Sequence, residues 1–330
     1  MSNLIAMPLF PEENWYFDQV RKYAVDGRLG EGKTEKELEN IENLLGEVIS
    51  KKDFPSRSDT ASLLECIVLA TYEELEKIYL RLQPNAISIF YDQVKDKEGH
   101  TKTIMKEKWS LIGKIYDRLV KNGLHTEIIH KYGIKCCPYC NENYIFNRKV
   151  NNEVIYATAQ LDHFFSKYMY PIFAVSLYNL VPACSACNHI KAAQEIGISP
   201  HNHLYDFSQM YISYTPKSGD WLSNPEELEV QFKYNTADTE FINKMNDNLD
   251  AMGIRQAYGM HKDYIQEILK KAEIYGGEYR ENLLRDFPDL FSSDEELIQT
   301  IFSNYISEED MFNRPLSKLT KDLLKELSII

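Results

Sequence analysis

Two Cys-x-x-Cys pairs, Cys137 with Cys140 and Cys184 with Cys187, bracket an Asp-His pair, Asp162-His163, and two asparagines, Asn179 and Asn188. Each cysteine pair forms a thiolate knuckle with a bite suited to tetrahedral zinc, and two knuckles supply the four ligands of a closed structural site. Cys136 is the spare, since three residues rather than two separate it from Cys140. The gap of 43 residues between Cys140 and Cys184 exceeds that of a simple zinc ribbon. An inserted functional element is therefore expected, and the Asp-His stretch is what is inserted.

That insert has the residue types for phosphodiester hydrolysis, which needs an activated water, a stabilised leaving oxygen and neutralised phosphate charge. His163 can take the water's proton near neutral pH. A hard divalent ion, Mg²⁺ or Mn²⁺, suits a carboxylate and an amide oxygen and keeps positions open for phosphate and water. Asp162 and His163 are neighbours at a strand end, so they point to opposite faces unless the strand bends or stops there. Asn188 falls in the first turn of the helix that follows. Lys191, three residues on, shares its face. Lys167 and Lys191 are the candidate phosphate contacts.

A redox reading competes, because Cys137-Pro138-Tyr139-Cys140 is also the active-site tetrad of glutaredoxin-like proteins. That chemistry needs a βαβ context with the first cysteine at a helix N-terminus. Here a helix precedes the tetrad and a hairpin follows, and the second cysteine pair would go unused.

The ordered set Cys-x-x-Cys, Asp-His, Asn and Cys-x-x-Cys-Asn-x-x-Lys resembles the HNH endonuclease family over Cys137 to Lys191, about a sixth of the chain. The resemblance implies a ββα-metal fold with two zinc knuckles, and cleavage leaving 5′-phosphate and 3′-hydroxyl ends. It makes His163 the general base and Asp162 a metal ligand. Asn179 either braces the loop of the base or approaches the metal. Asn188 is the last ligand, or His189 if the helix begins one residue later. Ser166 stands where the family often has Pro, and Ala192 where it often has Gly; both touch loop geometry rather than a catalytic group. More faintly, Tyr132-Gly133-Ile134 and Asn313 to Leu319 resemble HNH proteins that accompany ATPases in Septu-type anti-phage systems. That implies a bacterial defence role and a protein partner such as an ATPase.

The elements around this stretch are mainly helical. Apolar residues at helical spacing predict helices over Thr34–Ser50, around Leu63 to Val68, from Thr71 to Leu82 behind a capping box, and around Trp109 to Leu119. Breaks are expected at Phe54–Asp59 and Pro84-Asn85, with a polar loop over Asp96–Thr103. Tyr144 to Ala157 reads as a hairpin about Asn151-Asn152, its second strand running on into Asp162-His163. Pro171 to Val181 reads as a loop or short helix, and Ser185 to about Ile196 as a helix. Beyond Pro200 the chain reads as irregular with a short strand at Val230–Tyr234. Helices then follow over Thr239–Tyr275, Leu297–Tyr305 and Ser317–Leu327. His201 and His203 read as a surface loop. The expected class is α+β, a mostly helical chain with a central ββα-metal module. Its segments are 1–130, 131–203 and 204–330.

Composition sets outer bounds. With 44% hydrophobic and 26% charged residues the chain is globular, and its longest apolar run, Cys66 to Ala70, is too short to span a bilayer. The N-terminus lacks a basic lead-in, so no signal peptide and a cytoplasmic location are expected. Six cysteines in such a chain favour metal over disulfides. Net charge is −13, yet Lys131 to His203 holds six bases against four acids. That segment carries +2 and the remainder −15, which disfavours bulk nucleic-acid binding. Three functions remain. One is an HNH endonuclease, on DNA ahead of RNA or tRNA, with a partner delivering substrate. The others are a non-catalytic zinc-knuckle adaptor and the thiol enzyme.

Overall fold

The computed structural model describes residues 5–25, 31–150 and 153–330. It is an α+β protein of helices and small antiparallel sheets. Two compact units interleave along the chain, one from Pro8–Gly133 and Phe146–Glu195, the other from Met1–Met7, Ile134–Ile145 and Ile196–Ile330. The divisions at 145/146 and 195/196 fall inside the 131–203 segment.

The first unit opens with helices α1 (Glu13–Ala24), α2 (Glu31–Gly46), α3 (Leu63–Val68) and α4 (Tyr72–Leu82). The capping box at Thr71 is present: Thr71 Oγ1 accepts the Glu74 N–H at 3.3 Å and Glu74 returns a carboxylate to the Thr71 N–H at 3.0 Å. Glu74 is buried because it also accepts from the Ser56 N–H and hydroxyl, tying down the expected break. Pro84 does not end the helical path. It sits in the first turn of a 3₁₀ turn, Gln83–Asn85, where its missing N–H costs nothing, and the chain continues into α5 (Ala86–Phe90).

The expected polar loop at Asp96–Thr103 is instead the end of a hairpin, β1 (Tyr91–Lys95) with β2 (Thr101–Met105), turning at Gly99 with φ +84°. Nearly every residue of it is exposed, so no alternation of apolar and polar residues announces it. Helix α6 (Ser110–Lys121) buries Ile112, Ile115, Tyr116 and Leu119, as its spacing predicts. Trp109, just ahead of it, is buried with its indole N–H on the Ile89 carbonyl at 3.2 Å. Helix α7 (Leu124–Tyr132) stops at Gly133, which takes the left-handed conformation that suits glycine.

The strands around the Asp-His pair differ from expectation. Strands β3 (Asn147–Val150) and β4 (Glu153–Ala157) form the anticipated hairpin, whose Asn151-Asn152 turn lies outside the described residues. This hairpin does not run on into Asp162. Thr158 interrupts it, turning its N–H and hydroxyl onto Phe146. A separate strand, β5 (Ala159–His163), pairs antiparallel with β6 (Leu180–Cys184), from Ala159 opposite Cys184 to His163 opposite Leu180. The loop between them holds 3₁₀ turns at Pro171–Phe173 and Leu177–Asn179. Strand β6 feeds α8 (Ser185–Lys191), shorter than expected because Ala192 turns to φ +46°. The strand-strand-helix sequence is therefore β5-β6-α8.

The second unit contains a hairpin of β7 (Met210–Pro216) and β8 (Leu228–Tyr234); β8 covers the short strand expected at Val230–Tyr234, and β7 lies where the chain was expected to be irregular. It continues with α9 (Thr239–Ala251), α10 (Ile254–Tyr258), α11 (Lys262–Ile274), α12 (Gly277–Asp286), α13 (Asp294–Phe302) and α14 (Ser317–Glu326). Helix α14 is buried along most of its length against β7. Its charged side chains are satisfied: Asp322 accepts the Ile212 N–H at 2.9 Å and Lys318 donates to the Met210 carbonyl at 2.8 Å. Asn141, at φ +49°, donates to the Met311 carbonyl and accepts the Lys318 N–H, binding the Cys137–Cys140 turn to the C-terminal helix. His201 is buried rather than on the surface, while His203 is exposed. Among the described residues no helix is long and apolar enough to cross a membrane.

Thr71→Ala removes the hydroxyl half of the capping box. It should lower stability by about 1 kcal/mol, read as an earlier urea midpoint at unchanged slope.

Candidate metal centre and active site

Residues two apart on a strand share a face, so Gln160 and Asp162 of β5 point together, and away from Leu161 and His163. Residues three apart on a helix also share a face, here Asn188 and Lys191 of α8. These two faces meet. The Asn188 amide nitrogen donates to Gln160 Oε1, and Lys191 Nζ lies 3.2 Å from each carboxylate oxygen of Asp162. Lys191 also donates to the His163 carbonyl at 2.6 Å. Its ammonium is fully buried, so the expected phosphate contact is replaced by a structural one. Burial lowers the Lys191 pKa and the Asp162 charge opposes that.

His163 ends β5 on the opposite face. Its Nε2 is 3.0 Å from the Ala174 carbonyl oxygen. A carbonyl only accepts, so Nε2 carries the proton and Nδ1 keeps the lone pair. The ring meets Tyr116 of α6 edge-on, with centroids 4.5 Å apart. Burial, then the charges of Lys167 and Lys191, push the His163 pKa down to about 3, although the Ala174 bond works the other way. The imidazole is thus neutral at physiological pH. Because its folded pKa lies below the unfolded value near 6.5, its contribution to stability is present above that value and is lost as pH falls from there toward about 3.

Asn179 has no polar atom left for a substrate. Its Oδ1 accepts the Phe165 N–H at 2.7 Å, and Nδ2 donates to the Phe165 and Phe173 carbonyls at 3.0 Å each. Its own carbonyl accepts the Phe164 N–H. Of its two expected roles, this arrangement fits the brace. It closes the loop that brings the Ala174 carbonyl to His163.

Asn188 is half-buried and His189 exposed. With its nitrogen on Gln160, the Asn188 amide leaves its oxygen as the end available to a ligand. Asp162, expected as a metal ligand, is buried with both carboxylate oxygens facing Lys191 Nζ, and Asn188 meets Gln160 beside it. Lys167 is placed differently from Lys191. Its Nζ lies 4.1 Å from the centre of the Tyr116 ring and 3.8 Å from the exposed carboxylate of Asp117, and it keeps some solvent access.

None of the six cysteines is in a disulfide. Four are buried and close together: the sulfurs of Cys137, Cys140, Cys184 and Cys187 all lie within 4.8 Å of one another. Sulfurs around a tetrahedral zinc at Zn–S of 2.3 Å are about 3.8 Å apart, so the set can hold a structural metal such as zinc. Backbone N–H groups already point at two of them, from Glu142 to Cys140 and from Cys187 to Cys184. Such bonds favour the thiolate. Cys137 begins a turn rather than a helix, so the geometry demanded by the glutaredoxin-like reading is absent. Burial raises the Cys136 thiol to about 12, aided by Cys140, and keeps it protonated. The other group of three or more such donors among the described residues is Asp96, Glu98 and His100 in the β1-β2 turn, mostly exposed.

No family model matches the chain, and no curated protein or solved structure matches it either. Residue spacing alone misses Tyr116 and Gln160, which reach the site from α6 and from the strand position two before Asp162. The β5 alternation could have found Gln160. Nothing in the sequence ties Tyr116 to His163.

Purified without chelator, the protein should carry about one zinc per chain by elemental analysis. Cys184→Ser should lower that content, while Cys136→Ser should leave it unchanged.

Proposed function

We propose that this protein is a metal-dependent endonuclease of the HNH type that hydrolyses phosphodiester bonds, with DNA as the first substrate and RNA as the second. The observation that carries the reading is the β5-β6-α8 arrangement. It sets Gln160 and Asp162 of β5 against Asn188 and Lys191 of α8, and ends the strand, on its other face, on a neutral His163 with its Nδ1 lone pair unprotonated.

In this reading His163 Nδ1 takes a proton from the attacking water as the new phosphorus–oxygen bond forms. The bond from phosphorus to the 3′ oxygen breaks and that oxygen takes a proton from solvent water, giving 5′-phosphate and 3′-hydroxyl ends. A divalent ion on Asp162 and Asn188 would supply charge neutralisation at the phosphate. Lys191 holds β5 against α8 by meeting the Asp162 carboxylate and the His163 carbonyl. Asn179 and the Ala174 carbonyl hold the imidazole in the tautomer that can accept. Zinc on the four cysteines is proposed as structural, because thiolates are soft ligands and all four positions are filled by protein.

The acidic remainder of the chain supports a further part of the reading. At −15 outside Lys131 to His203, the isolated protein should capture nucleic acid weakly, and a protein partner such as an ATPase would deliver the substrate. With the faint resemblance to Septu-type HNH proteins, the reading extends to a defence or restriction complex in the cytoplasm.

Incubation with duplex DNA and RNA in Mg²⁺ or Mn²⁺ tests the reading. His163→Ala should lower kcat by about 10²- to 10⁴-fold. The wild-type rate should not fall with a midpoint near 6.5 on acidification, since His163 stays neutral well below that value. Equal cleavage by both proteins would remove His163 as the base. Full zinc occupancy without divalent-dependent cleavage, with partner present, would favour the adaptor.

A further inference from the structure

We propose that Tyr116 of α6, outside the strand-strand-helix module, is a positioning residue that fixes both the base His163 and the phosphate-facing cation Lys167. The proposal rests on the nuclease reading above and names the group that meets the substrate.

The two lysines near the site have divided roles. Lys191 has no exposed surface on its side chain, and its bonds go to Asp162 and the His163 carbonyl. An incoming phosphate cannot reach it without opening β5 from α8. Lys167 keeps 21% of its side chain exposed. Its ion pair with Asp117 is long at 3.8 Å, and Asp117 is itself 74% exposed, so this contact is loose and screened. What mainly holds Lys167 is the Tyr116 ring, with Nζ 4.1 Å from its centroid against 5.7 Å from that of the exposed Tyr168.

The same ring meets the His163 imidazole edge-on at 4.5 Å and 70°. His163 is therefore gripped on two sides. Its Nε2 is on the Ala174 carbonyl, and its ring abuts Tyr116. These contacts limit rotation of the imidazole and fix where Nδ1 points. Tyr116 is buried on the apolar stripe of α6 and cannot easily move. One aromatic ring thus touches both the proton acceptor and a partly solvent-accessible ammonium. Their spacing is what a water and a scissile phosphate would have to fit. The needed property is the ring and not the hydroxyl, so Phe should serve and an aliphatic residue should not.

The test uses the full chain, with Tyr116→Phe, Tyr116→Leu and Lys167→Met. Steady-state cleavage of DNA with Mn²⁺ gives kcat and KM, and NMR of ¹⁵N-labelled histidine reads the His163 ring without need of activity. Lys167→Met should raise KM about tenfold or more with little change in kcat. Tyr116→Leu should lower kcat at least about tenfold and shift or broaden the His163 ring signals, and Tyr116→Phe should restore both. Tyr116→Leu with wild-type kcat, KM and His163 signals would overturn the proposal, as would an unchanged KM in Lys167→Met. If His163→Ala cleaves like the wild type, His163 is not the base, and if neither protein cleaves, the nuclease reading fails. In either case Tyr116→Leu with unaltered His163 signals also overturns the positioning role, and altered signals restored by Phe uphold the grip on the ring.

Discussion

The buried ion pair between Asp162 and Lys191 is the constraint on which the candidate site depends. A carboxylate at the end of a buried strand is costly unless a charge meets it, and an ammonium in the same place equally so. Here each satisfies the other, and Lys191 adds a bond to the His163 carbonyl. Strand β5 and helix α8 are therefore locked in one register, with Asp162 facing α8 and Gln160 meeting Asn188 beside it. The imidazole on the other face inherits that precision, because the carbonyl that Lys191 holds belongs to His163 itself.

The rest of the local structure serves the same end from the other side. The β5-β6 loop has to bring a carbonyl to His163 Nε2, and Asn179 makes this possible by saturating its amide on Phe165 and Phe173. Tyr116 closes the remaining side. The result is a neutral imidazole in one tautomer, held among apolar rings. Burial and two neighbouring ammonium groups suppress its protonation.

Much of this was legible in the chain itself, and the part that was not has identifiable causes. The cysteine quartet, Asp162, His163 and Asn188 follow from spacing. The helices with strong apolar stripes, such as α4 and α6, also follow, as does the Thr71 capping box. Strand β6 was hidden because Leu180 to Cys184 is buried on both faces and contains Pro182, so neither alternation nor propensity marks it. The β1-β2 hairpin was hidden for the opposite reason, since both its faces are exposed. Lys191 was misplaced because helical spacing gives its face but not what that face packs against. In isolation a lysine beside an Asp-His pair reads as a phosphate contact, and only the approach of α8 to β5 buries it. Helix α14 shows the same limit: Leu319 and Leu323 are apolar as read, while Lys318 and Asp322 are buried through partners on β7 and on the helix itself.

The most direct measurement is urea unfolding of Lys191→Met beside the wild type. Removing the ammonium strands the Asp162 carboxylate in a buried site, at a cost of about 3–5 kcal/mol. The account predicts a large drop in the unfolding midpoint at neutral pH, largely recovered in Asp162→Asn/Lys191→Met, where no charge is left unpaired. An unchanged midpoint in Lys191→Met, with only weaker and less salt-sensitive nucleic-acid binding, would contradict it and return Lys191 to the surface.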